Sequence, residues 1–157
     1  MGVAAGVAVA GLCGGCGGDS VSADTTAATP LSRVVAAGDA LCAKGNQQIG
    51  ALETPAFDPA HATPAQLRSA APYLRKMAAI VATEVDGAAA VGTPDQKADE
   101  FSAAIADARR LADGLGDQAT AAEKGDVEAF QRAERDLDAN PAGRELAALG
   151  FTVCGQG

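Results

Sequence analysis

From Leu31 to Leu149 the apolar residues recur at helical spacing, and the pattern is broken only where proline or glycine breaks it. Leu31, Val34, Val35, Leu41, Cys42, Ile49 and Leu52 form a first stripe, with Gly38 and Gly45 on the same face. Glycine there weakens a helix but lets a neighbouring backbone come close. Pro55 and Pro59 stop that helix and make Glu53–Ala62 a crossover loop. Thr63-Pro64 then supplies an N-cap and a first-turn proline. A second stripe follows at Leu67, Ala70, Ala71, Leu74, Met77, Ala78, Val81 and Val85, with Pro72 inside it as a predicted kink or restart.

Gly87–Gly92 reads as a small-residue turn, and Thr93-Pro94-Asp95-Gln96 as the cap of a third helix. Its stripe is Ala98, Phe101, Ile105, Ala108, Leu111, Ala112 and Leu115, and the pattern extends towards Lys124. Gly125-Asp126 ends that helix and caps the next, whose core positions are Val127, Phe130 and Leu137. Asn140-Pro141 resets the cap for a last short helix, Arg144–Leu149, closed by Gly150, and Phe151–Cys154 follows as an extended tail. The predicted fold is all-α: an antiparallel four-helix bundle with a short C-terminal helix. No period typical of solenoid repeats is present.

Composition narrows the partners. The formal net charge is −8, so nucleic-acid phosphates and anionic lipid heads would repel the chain. Tryptophan is absent and aromatics are 3% of residues, which suits close packing of small side chains in helices better than a β-sandwich.

The segment Met1–Gly18 carries no charge. Its apolar run, Val3–Leu12, has the length of a signal-peptide core and is shorter than the roughly 20 residues of a membrane-spanning helix. The first basic residue is Arg33, so a start lying upstream is expected. Gly14-Gly15-Cys16 resembles the lipobox of bacterial lipoproteins, although Cys13 stands where that motif usually has leucine. The resemblance implies lipidation of Cys16 and anchorage in the membrane; simple secretion and an uncleaved apolar tail are the alternatives. The organisation expected is a signal peptide over 1–15, a flexible tether over 16–30 (small and polar through GGDSVSADTTAATP) and a bundle domain over 31–157.

Cys42 and Cys154 then remain. In an oxidising exterior they pair most simply as a disulfide, the alternative being two buried thiols. The stretches DALCAKGNQQI (39–49), EKGDVEAF (123–130) and ELAALGFTVCG (145–155) look like those of small helical lipoproteins of actinobacteria. That resemblance implies a secreted bundle and brings no catalytic residues with it.

Little in the chain suggests chemistry. His61 is the sole histidine, which argues against zinc-hydrolase and di-iron ligand sets. A general-base role would require the fold to bring a carboxylate or nucleophile to it. The acidic residues fall in patches with arginines three or four positions on, such as Asp107 with Arg110 and Glu128 with Arg132, as on a solvated helix face. No phosphate-binding glycine loop is present and no cofactor is expected. Asn46 is a candidate for tying the first helix to the crossover loop or for facing a pocket. The expected role is that of a cell-envelope binding or interaction module. A freely secreted bundle that sequesters a small apolar ligand, or an envelope enzyme using His61 with a carboxylate, would be alternatives.

Overall fold

The computed structural model describes residues 29–155. The signal segment, Cys13, Cys16 and the tether up to residue 28 lie outside them. The described chain is an all-α bundle: α1 (Leu31–Gly50), α2 (Pro64–Ala90), α3 (Ala98–Lys124), α4 (Val127–Asp138) and the short α5 (Ala142–Ala148), with a single turn of 3-10 helix at Pro59–His61. Helix α3 is the hub, packed against α2, α4 and α5, while α1 lies on α2.

Cross-helix contacts give the directions. Arg75 in the N-terminal half of α2 pairs with Glu123 near the end of α3 at 2.7 Å, and Arg68 donates to the carbonyl of Lys124 at 3.3 Å. Both place cationic groups at the C-terminus of α3, where the helix dipole favours them. Leu41 of α1 packs on Gly87 of α2, and Leu137 of α4 packs on Gly114 of α3. Successive long helices are therefore antiparallel.

The cap signals act as read at three places. Thr63 and Gln66 form a capping box at the start of α2. Gly125 takes φ 69° to end α3, and Asp126 accepts from the N–H of Ala129 to start α4. The amide oxygen of Asn140 accepts from Ala142 N at 2.9 Å at the start of α5.

Four expectations are corrected. Thr93-Pro94-Asp95-Gln96 does not cap α3, which begins at Ala98 behind Lys97 in a left-handed conformation (φ 57°). Asp95 instead caps α1, accepting from Leu31 N at 3.1 Å, while its own N–H donates to the carbonyl of Thr29 at 2.9 Å. Thr29 and Pro30, read as tether, are thereby clipped to the α2–α3 loop. The turn placed at Gly87 starts later, since α2 runs on to Ala90; it also passes through the exposed Pro72 as one element. Finally, Gly38 and Gly45 do not admit a neighbouring backbone. They admit side chains: a Cβ at Gly38 would strike the ring of Phe151, and one at Gly45 would strike the carboxylate of Glu84.

The core has two aromatic-anchored ends. Phe130 and Leu67 centre one, with Phe57 edge-on to Phe130 at 6.2 Å. Val34, Phe101, Ile105 and Phe151 centre the other, the two rings stacked at 6.5 Å. Between these ends the buried residues are small, Val85, Ala108 and Ala142.

Candidate functional site

Where the core thins to Val85, Ala108 and Ala142, it leaves a cavity of about 380 Å³. Its walls come from almost every element: Val81, Glu84, Val85 and Ala88 from α2; Ile105, Ala108 and Leu111 from α3; Leu137 and Asp138 from α4; Arg144 and Leu146 from α5; Phe151 and Cys154 from the tail; and Cys42 from α1.

Two devices hold the walls in place. On one side, the side chain of Asn140 donates to the carbonyl of Asp107 at 3.0 Å and accepts from Ala142 N. One amide thus fixes the α4–α5 turn to the middle of α3. On the other side, the C-terminal tail is held twice by α1. Cys42 and Cys154 form a disulfide with Cα atoms 5.4 Å apart and a sequence separation of 112. Asp39, three residues before Cys42, accepts the N–H groups of Thr152, Val153 and Cys154 at 2.9, 2.9 and 3.2 Å, and the Thr152 hydroxyl at 2.7 Å. Partial burial pushes the Asp39 carboxyl up, but these hydrogen bonds outweigh it and hold the group below its ordinary 3.8. The pairing expected of Cys42 and Cys154 is present, and the disulfide lines the cavity.

The polar group that distinguishes the cavity is Glu84. It stands on α2 between Val81 and Ala88, at the margin of the apolar stripe facing α1. Its Oε1 is buried and has no hydrogen-bond partner among the described residues, because it lies over Gly45, where no side chain occupies the space. Desolvation pushes the carboxyl up to about 7. Asp138 and Arg144 are the other charged residues in the lining, and both are exposed.

The other residues singled out in the sequence lie elsewhere. His61 is 83% exposed, and its Nδ1 is 2.7 Å from Asp58 Oδ2, three residues away on the same turn. That hydrogen bond to His61 is the main cause holding the Asp58 carboxyl low. The fold does bring a carboxylate to the histidine, but on an open surface, and neither residue lines the cavity. Asn46 is exposed on α1 and is not a lining residue. The amide that ties two elements together beside the cavity is Asn140. Among the described residues no cluster of His, Cys, Asp and Glu could hold a metal ion, and no helix is long and apolar enough to cross a membrane.

The chain matches no family model, no curated protein and no solved structure. Among the described residues, Glu84 is the one lining carboxyl with a buried, unpartnered oxygen.

Proposed function

We propose that this chain is an extracytoplasmic binding module, anchored by lipid at Cys16, whose helical bundle takes a small, largely apolar ligand into the cavity beside the disulfide. The observation that carries it is the cavity itself. About 380 Å³ walled by Val81, Ile105, Leu111, Leu146 and Phe151 lies within the size range of small-molecule sites and well above the roughly 150 Å³ that admits benzene. A few polar groups amid apolar walls is the usual composition of such a site. The extracytoplasmic placement is supported by the signal-like start, by the lipobox-like Gly14-Gly15-Cys16 and by a disulfide that an oxidising compartment would preserve.

Titrating the isotope-labelled protein with 2-phenylethanol, a small neutral probe, tests the binding function. Saturable shifts at Val85, Ala108 and Ala142 are expected, with Leu67 and Phe130 at the other end of the core unmoved. A spectrum unchanged to the solubility limit of the probe would refute it. Anchoring is tested separately by acyl labelling in cells: label on the native chain and none on Cys16→Ala, which should leave the membrane. A Cys16→Ala chain that stays membrane-bound would overturn the lipid anchor without touching the cavity.

A further inference from the structure

The geometry points to a ligand that carries an amine: a small apolar cation whose ammonium pairs with Glu84 while its body fills the cavity against Ile105, Leu111 and Phe151. This rests on the cavity-binding function proposed above and specifies its ligand class.

Three observations lead to a cation. First, Glu84 lines the cavity and one of its oxygens is buried with no hydrogen-bond partner among the described residues. An unmet acceptor in apolar surroundings is costly, and a charged donor satisfies it better than a neutral one. Second, the group is set there by complementary shapes on two helices. Gly45 of α1 presents no side chain, and the Glu84 carboxylate lies over it. An alanine at position 45 would occupy the same space. Third, the remaining charged residues of the lining, Asp138 at the end of α4 and Arg144 in α5, are exposed and solvated. An anionic ligand reaching Arg144 would set its charge in the cavity that Glu84 also lines, whereas a cation meets a carboxyl already desolvated.

The half-buried carboxyl, raised to about 7, is largely protonated in mildly acidic solution. An ammonium entering the cavity favours its ionised form, so the proton leaves Glu84 for solvent as the ion pair forms. Amine binding should therefore strengthen as pH rises through 7, while binding of a neutral ligand of the same shape should not.

Phenethylamine, 2-phenylethanol and 3-phenylpropionate share one apolar body and differ in charge, so calorimetric titration with the three separates the alternatives. The amine is expected to bind at least about tenfold more tightly than the alcohol at neutral pH, with the propionate weakest. Glu84→Gln should erase the preference for the amine over the alcohol. The native protein supplies an independent measure: amine affinity should rise between about pH 5.5 and pH 8 while alcohol affinity stays flat. Alcohol and amine binding equally would overturn the inference and leave the cavity function standing. The propionate binding most tightly would overturn it in favour of Arg144. None of the three binding would refute the cavity function and the amine together.

Discussion

Asp39 holds the backbone of Cys154. Its Oδ1 accepts the N–H of Cys154 at 3.2 Å and that of Val153 at 2.9 Å, while Cys42, one turn further along the same helix, is bonded to the Cys154 sulfur. Three consecutive tail N–H groups converging on one carboxylate form a small anion nest, here filled by a residue of the protein itself. The covalent and the electrostatic grips close the same loop, so neither is independent of the other.

Removing the carboxylate should loosen the tail. Asp39→Ala is expected to cost about 1–2 kcal/mol, at and below the low end of the range for hydrogen bonds to a charged group, since the site is only partly buried. The pH sign follows from a folded-state carboxyl held below 3.8. Its contribution is present above the unfolded value and is lost as pH falls through the lower folded one. Denaturant melts at neutral pH and near pH 3 should therefore show a gap between native and Asp39→Ala proteins that narrows in acid. A gap that stays constant with pH would remove the electrostatic account.

The disulfide should contribute more. Closing a loop of 112 residues is worth about 4–5 kcal/mol in the chain-entropy account, less any native strain. Cys42→Ser with Cys154→Ser should lose most of that. The loss should combine non-additively with Asp39→Ala, because both changes release the same tail. Intact-mass measurement of the non-reduced protein should find no alkylatable thiol at either position. Free thiols at both would contradict the pairing.

The two glycines on α1 should respond differently to the same substitution. Gly38→Ala directs a methyl into the ring of Phe151, which is 3% exposed and stacked on Phe101. A rigid buried ring cannot yield cheaply, so a loss of about 1–3 kcal/mol is expected. Gly45→Ala meets the end of the flexible Glu84 side chain, which can swing aside. The gain in helix propensity, about 1 kcal/mol, then offsets most of the clash. Thermal melts should rank Gly38→Ala well below Gly45→Ala, and the reverse order would show that the carboxylate is the less yielding neighbour.

The helices were legible because their apolar period and caps are local signals. Thr63 with Pro64, Gly125 with Asp126, and Asn140 act where their own sequence places them. Asp95 did not, because a cap is recognised by its residue types and not by which helix it serves. Its carboxylate crosses 64 positions to Leu31, and no local pattern encodes that. The site was hidden for the same reason. Glu84 reads as an ordinary exposed acid until α1 is laid against α2 and Gly45 falls opposite it. The trace it left was a glycine on an inward stripe and an acid three residues after Val81 and four before Ala88 on the facing helix. Asn46 drew attention as an amide near Cys42, yet the bridging amide is Asn140, placed by the α4–α5 turn.

Glu84 should also make the protein less stable as pH rises towards neutrality, opposite in sign to Asp39. Its carboxyl is raised from 4.5 to about 7 in the folded state. Between those values the folded chain binds more proton than the unfolded one, so the stability of the folded state falls as pH increases across that window. Above it the full cost of holding the charge is present. Allowing for the solvent screening of a half-buried group, that cost is about 1–2 kcal/mol. Glu84→Gln keeps the shape and removes the titration. It is expected to match the native protein near pH 4.5 and exceed it in stability at pH 8, with the curves diverging between. Saturating phenethylamine should narrow the gap at pH 8 by stabilising the native chain more than the variant. Parallel curves for the two proteins across the window would show that Glu84 carries no desolvation cost.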